Sequence, residues 1–397
     1  MPLPRLIMVG GFLGAGKTTL LAQAATRLAR QGKRVGLVTN DQASELVDTA
    51  LLRDGGSVVE EVPDGCFCCR FQDLIAAVER IEDLLAADVI LTEPVGSCTD
   101  LSATVLQPLK KIYAERFCLA PLSVLVDPGR LREVFEEKGH AEKEERNLLC
   151  EASSESRRQK VPVPVSAAAG FFGHVLYILR KQLEESDVIV LNKTDLLAGA
   201  ELESLRALLR EHFPGVPVFP ISATNGEGVD SWLEFVVQDR QAGTRIADVD
   251  YDVYAAGEAS LAWLNASLRV HARGEADWGL FCWKLIDALQ HEFRASAAEV
   301  AHLKIRLTAD GGAIMAHLTA NRARPLLFGH LTHQPHDAAL LLNARVHMDP
   351  EQLRAIVESC LRATAADGFE IAVDQIRSFS PSRPQPTHRF DRVVQAD

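Results

Sequence analysis

Gly11, Gly16, Lys17 and Thr18 have the spacing G-x-x-x-x-G-K-[ST]. An apolar run with strand character, Arg5–Val9, precedes them, and an Ala- and Leu-rich amphipathic stretch, Leu20–Arg30, follows. Strand, glycine loop and helix in that order are the context in which such a loop cradles phosphates. The glycines let the backbone curl, so that amides from Gly14, Ala15, Gly16, Lys17, Thr18 and Thr19 can face phosphate oxygens. The helix adds the positive end of its dipole. Lys17 can reach the β- and γ-phosphates, and the Thr18 hydroxyl can hold Mg²⁺.

Two further stretches bear on the base. The run Val188–Leu191 ends in Asn192-Lys193-Thr194-Asp195, and the run Val216–Ile221 ends in Ser222-Ala223-Thr224. Guanine offers two adjacent donors, which one carboxylate can accept, and Asp195 is assigned that role. Lys193 would lie along the ring face, and Asn192 would tie this loop to the phosphate loop. The Ala223 amide, next to Ser222, would donate to guanine O6. Adenine would leave these buried polar groups unpaired.

The run Asp88–Thr92 ends in Glu93-Pro94-Val95-Gly96. Glu93 can order the Mg²⁺ shell or the attacking water, and Gly96 can present its amide to the γ-phosphate. Asp41 follows the run Val35–Thr39 and is either a second carboxylate near the phosphates or the cap of a helix starting near Ser44. Cys66, Cys68 and Cys69 lie within four residues after the third strand, beside Gly65. Thiolates select Zn²⁺ and other soft or borderline cations. Cys66 and Cys68 project to one side of an extended segment, and a turn would bring in Cys69. Two or three protein ligands leave a coordination position open, which suits delivery better than structural storage.

The elements that must position these residues follow a simple order. Apolar runs at 5–9, 34–39, 57–62, 88–92, 122–126, 187–191 and 217–221 alternate with helical stretches. That order predicts an α/β fold with a mostly parallel, doubly wound sheet, and ligands on such sheets sit at the carboxyl ends of the strands. At 397 residues the chain is too long for one ordinary core. We expect a P-loop domain over 1–240, a linker near 238–250, a smaller α+β domain over 251–378 and a Pro-rich tail over 379–397. In the second domain, strand-like runs fall near 260–271, 302–308, 313–320, 338–347 and 369–376, with helices near 277–294 and 350–366. Residues 136–160, dense in charge and Ser, predict an exposed insertion.

A hydrophobic content of 47% with 24% charged residues is that of a soluble globular protein. The net charge of -12 argues against a nucleic-acid surface. No signal peptide and no membrane-spanning run is visible, so no membrane partner is expected. Clustered cysteines are unsuited to a disulfide framework and point to a reducing, cytoplasmic setting.

These motifs together resemble those of the CobW-like GTPase family, which is similar to the urease and hydrogenase nickel-insertion GTPases and is taken to comprise metallochaperones. The family's phosphate loop, Cys-x-Cys-Cys motif, Glu-x-x-Gly switch and Asn-Lys-x-Asp motif match Gly11–Thr18, Cys66–Cys69, Glu93–Gly96 and Asn192–Asp195. The match covers roughly residues 5–240. The resemblance implies Mg²⁺-dependent hydrolysis of GTP to GDP and metal binding at Cys66, Cys68 and Cys69. It also implies GTP-dependent pairing of two subunits or docking on a client metalloprotein. The chain departs from the family in having Asn40-Asp41-Gln42-Ala43 where Asn-Glu-Phe-Gly is usual, and Pro94 where Thr or Ser is usual.

Nine of the twelve histidines lie beyond residue 270, and His330, His333 and His336 form a cluster. Imidazoles at this spacing can ligate a transition metal, but the segment also reads as a polar connection between strands, punctuated by Pro335. The leading functional expectation is a GTP-driven metallochaperone or metalloenzyme activator. The competing one is a GTP-controlled assembly factor for a client, such as a corrinoid-dependent protein, with no metal as cargo. A P-loop kinase is a third, opposed by the paired guanine motifs.

Overall fold

The computed structural model describes residues 3–40, 47, 52, 57–135, 170–238 and 241–395. Asp41 and the insertion expected over 136–160 lie outside the described residues. Among those described, eight strands precede Ile221: β1 (Arg5–Gly11), β2 (Val35–Asn40), β3 (Val58–Val62), β4 (Val89–Glu93), β5 (Cys118–Leu119), β6 (Ser123–Val126), β7 (Val188–Leu191) and β8 (Val218–Pro220). Helices α1 (Lys17–Arg30), α2 (Phe71–Leu85), α3 (Gln107–Ile112), α4 (Gly170–Glu184) and α5 (Gly199–His212) run between them, and α6 (Val229–Gln238) follows β8. β1 is buried at every position, as are β4, β6 and β7. Continuous burial is what strands covered on both faces require, and it explains their unbroken Val, Ile and Leu runs. The fold is α/β with parallel strands, as the alternation of runs implies.

The chain divides into two compact units, one within Met1–Arg27, Gly96–Tyr254 and His388–Asp397, the other within Leu28–Val95 and Ala255–Thr387. In the first unit β1 pairs with β5 at its start and with β6 at its end, β6 pairs with β7, and β7 with β8, all parallel. The register aligns Gly11 with Leu125, Val126 with Leu191 and Leu191 with Pro220. The glycine loop, Asn192 and Ile221 therefore leave the strands at one edge.

In the second unit β2 pairs with β3 and β4, again in parallel, with Asn40 opposite Val62 and Thr39 opposite Glu93. Here too the strands end level. The same unit carries an antiparallel sheet of β9 (Ala262–Ala272), β10 (Glu299–Ala309), β11 (Gly312–Leu318), β12 (Leu326–Leu331), β13 (Asp337–His347) and β14 (Phe369–Phe379). Its order is β12-β11-β10-β13-β9-β14.

Helix α7 (Tyr251–Ala259) precedes this sheet, and α8 (Trp278–Ala295) and α9 (Pro350–Ala365) interrupt it. Asp277 caps α8 by accepting from the Leu280 amide, and Asp349 caps α9 by accepting from Glu351 and Gln352. Phe281, Leu285 and Leu289 of α8 and Leu353 and Val357 of α9 join Leu264, Leu268 and Leu342 in one apolar core. Burying each such side chain contributes about 1.5–3 kcal/mol.

The apolar runs predicted all strands of this sheet but β12. That strand lies at the sheet edge, exposes Leu326 and Phe328, and holds Gly329 at φ 82°. A short, polar-flanked edge strand carries little periodic signal. No described helix is long and apolar enough to cross a membrane.

Candidate functional site

The phosphate loop turns sharply from β1 into α1. Gly11, Gly14 and Gly16 all have positive φ, at 128°, 78° and 99°. A Cβ on Gly11 would collide with the Leu125 backbone and one on Gly16 with the Asn192 amide, so these positions admit only glycine. Lys17 and Thr18 are buried at the first turn of α1, and the Lys17 ammonium lies 3.4 Å from the Phe12 carbonyl. Ala15 is buried beside them, and Thr19 is half-buried. A Cβ on Gly96 would stand 3.0 Å from Lys17 Nζ and 2.7 Å from Leu13 Cδ2. The Glu-x-x-Gly segment thus brings Gly96 directly against the lysine of the phosphate loop. Glu93 is the last residue of β4 and is buried.

Behind Gly96 the chain is held by groups the motifs do not contain. Gln182 of α4 donates to the Gly96 carbonyl at 3.0 Å and to the Cys98 carbonyl at 2.7 Å. Glu185, fully buried, accepts from the Ser102 amide at 2.8 Å and from the Thr99 hydroxyl at 3.3 Å. Burial raises its carboxyl well above the usual range, and the nearby Asp100 adds to the effect. Asp100 sits at φ 65° and takes Tyr251 Oη and Arg389 Nε on one oxygen, each at 2.8 Å.

Asn192, at the end of β7, binds both flanking loops. Its Nδ2 donates to the Ala15 carbonyl at 2.7 Å, and its Oδ1 accepts from the Ala223 amide at 2.9 Å. The Ala223 amide, expected to face guanine O6, is thus engaged by Asn192 in this structure. Lys193 adopts a left-handed conformation at φ 61°, with its ammonium 3.6 Å from Asp127. Asp195 follows in a single 3₁₀ turn, Thr194–Leu196, and is exposed. Ser222 is fully buried, and its hydroxyl accepts from the Asn225 amide.

The cysteine loop leaves β3 through Asp64 (φ 61°) and Gly65 (φ 148°). Amides of Cys69 and Arg70 then return to the Cys66 carbonyl, at 3.0 and 2.8 Å, closing a turn that opens α2. The turn gathers the three sulfurs. Cys66 Sγ lies 2.7 Å from Cys68 Sγ and 3.2 Å from Cys69 Sγ, and Cys68 and Cys69 are 3.7 Å apart. A tetrahedral zinc with bonds of about 2.3 Å sets sulfurs roughly 3.8 Å apart. Two of the pairs must open by about half an ångström to one ångström to take it. The donor set and its convergence therefore fit one thiophilic ion. Cys66 and Cys68 are buried and Cys69 is half-buried. Hydrogen bonding with Cys66 pushes the Cys69 thiol up to about 11, against an opposing bond with Cys68. Ion binding here must displace thiol protons.

Asn40, the last residue of β2, anchors this loop. Its Nδ2 donates to the Val62 and Gly65 carbonyls at 2.8 and 2.6 Å, and its Oδ1 accepts from the Phe67 amide at 2.9 Å. No motif marks Asn40 for this role; its place one residue before Asp41 is the signal the sequence carries.

The three clustered histidines are not brought together. His330 is part of β12, His333 faces Asp310 at 3.2 Å, and His336 bonds the Ala272 carbonyl at 3.0 Å. Among the described residues, Cys66, Cys68 and Cys69 are the one group of His, Cys, Asp or Glu side chains close enough to share an ion.

Comparison with known proteins gives the same direction. Residues 5–160 match the CobW/HypB/UreG nucleotide-binding domain. The chain is 26% identical over 238 residues to the zinc chaperone CobW of Sinorhizobium sp, covering 55% of this chain and 59% of that protein. It is 37% identical over 141 residues to the zinc chaperone YeiR of Escherichia coli, covering 34% of this chain and 43% of that protein. It is 23% identical over 229 residues to the zinc-regulated GTPase metalloprotein activator 1 of Dictyostelium discoideum, covering 52% and 43%. The chain spans about half the length of the curated relatives it matches.

Proposed function

We propose that this chain is a CobW-like GTPase that hydrolyses Mg²⁺–GTP and uses the cycle to load or release a transition ion, with zinc favoured, at Cys66, Cys68 and Cys69. The observation that carries the metal half is the convergence of three sulfurs in one Gly-flanked turn. The nucleotide half rests on the glycine loop, on Lys17 against Gly96, and on the Asn192 bridge. In this reading the Lys17 ammonium and the loop amides hold the β- and γ-phosphates, and Thr18 and Glu93 hold Mg²⁺ or its water shell. The Gly96 amide reports the γ-phosphate. Asp195 and Lys193 select the base.

Asn40 supports a coupled mechanism. It ends the strand that leads into the segment beginning at Asp41, and it holds both arms of the cysteine loop. A nucleotide-dependent change that reaches Asn40 would pull on the metal turn through one side chain. The names of the relatives support zinc as the ion and a client metalloprotein as its recipient. In this reading the chain acts in the cytoplasm and docks on the client in the GTP state, either as a monomer or as a GTP-dependent homodimer.

Two measurements on the purified chain test this. GTP turnover with Mg²⁺ should fall at least 100-fold in Lys17→Ala. Zinc should bind at about one ion per chain, and Cys66→Ser/Cys68→Ser/Cys69→Ser should remove it. Unchanged stoichiometry in the triple variant would place the ligands elsewhere.

A further inference from the structure

The cysteine turn has a second support that no motif contains. It comes from the far end of the chain, where β14 has ended and the segment Pro384-Gln385-Pro386-Thr387 runs without helix or strand. The Gln385 amide donates to Cys69 Sγ at 3.2 Å. The Thr387 amide donates to the Cys68 carbonyl at 2.8 Å, and the Thr387 hydroxyl to the Cys69 carbonyl at 3.3 Å. Three bonds from two residues therefore land on Cys68 and Cys69. Cys69 is also the most exposed of the three sulfur-bearing residues.

The local sequence is built for this contact. Pro384 and Pro386 have no amide hydrogen, so Gln385 carries the sole backbone N–H between Arg383 and Thr387, and it is aimed at sulfur. The proline rings fix φ, and the residue before a proline is held extended, so the strap is stiff before it docks. A stiff segment loses little entropy on forming its bonds. Three thiolates around a divalent ion carry a net negative charge, and an N–H donor aimed at one of them offsets part of it. Such outer contacts orient the ligand and raise the affinity of the site.

We propose that Gln385–Thr387 is an integral part of the metal site: a strap whose Gln385 amide positions the Cys69 sulfur and holds the bound ion. This rests on the reading that Cys66, Cys68 and Cys69 bind zinc. The strap is a segment separate from β3 and α2, and it lands on Cys69, the half-buried member of the three. Ion exchange with a client would then run through displacement of the strap.

The test uses the full chain with zinc alone as probe. Gln385→Pro removes the one amide hydrogen and leaves three prolines in a row, which keep the extended backbone. Gln385→Ala keeps the amide and removes the side chain. Zinc dissociation constants are measured against a competing chelator, with thermal unfolding of the metal-free proteins as the check on folding. Gln385→Pro should bind zinc about 10-fold more weakly and release it faster, within the range known for outer-contact substitutions, while Gln385→Ala stays at the unmodified value. Equal affinity in all three proteins overturns the strap, as does equal weakening in both variants, since the amide would then not be the cause. The triple Cys→Ser chain separates the two readings. If it binds zinc as well as the unmodified chain, the metal site itself is wrong and the strap falls with it.

Discussion

Asn192 and Ala15 are joined by a hydrogen bond of 2.7 Å, from the side-chain amide at the end of β7 to a carbonyl of the phosphate loop. The other end of the same side chain takes the Ala223 amide. One buried residue thus fixes the spacing between the loop that would hold phosphates and the two loops that would hold the base. Asn192→Ala leaves the Ala15 carbonyl and the Ala223 amide without these partners, at about 1–3 kcal/mol for each buried group. Calorimetry should show GDP and GTP binding weakened at least 10-fold. Unchanged affinity would mean that the loops hold their spacing without the bridge.

The proposed function gives base choice to Asp195. The residue is exposed, in the short turn that follows β7. Mg²⁺–GTP should bind far more tightly than Mg²⁺–ATP. Asp195→Asn should weaken GTP and favour a xanthine nucleotide, because xanthine presents an acceptor where guanine has its amine. Equal binding of ATP and GTP by the unmodified chain would remove the assignment.

The parallel fold and the loops that gather these residues were legible in the sequence because their patterns are local. Gly11 to Thr18, Cys66 to Cys69 and Asn192 to Asp195 each lie within one loop, and hydrophobic runs give the strands that present them. The supports were not legible for the same reason. Gln182 meets Gly96 across 86 residues and Gln385 meets Cys69 across 316, and no spacing rule covers such pairs. His330, His333 and His336 show the limit of spacing alone: it allowed either a shared ion or a polar connection between strands, and strand β12 and separate partners hold the three apart. Spacing in a chain constrains ligands only when the backbone between them is one turn or one strand face.

Glu185 gives a pH signature. Burial, with a smaller contribution from Asp100, raises its carboxyl well above the ordinary 4.5. The folded chain keeps a proton that the unfolded chain has released, so this group's contribution is full below the unfolded value and is lost as pH rises toward the folded one. Glu185→Gln cannot ionise and can keep bonds to Ser102 and Thr99. Thermal unfolding should therefore show the variant gaining on the unmodified chain as pH rises from about 4 to about 8. A difference that does not change with pH would mean that Glu185 is ionised in the fold.

The central claim is that nucleotide and metal sites are coupled, with Asn40 as the link between β2 and the cysteine turn. The most direct measurement is the zinc dissociation constant, taken against a competing chelator with GDP bound and then with a non-hydrolysable GTP analogue. A coupling of about 1–3 kcal/mol would shift zinc affinity about 5- to 150-fold between the two states, and zinc would shift GTP affinity by the same factor. Asn40→Ala should bind both ligands and lose most of that shift. Zinc affinities that agree within error in the GDP and GTP states of the unmodified chain would contradict the account and leave a GTPase beside an uncoupled metal site.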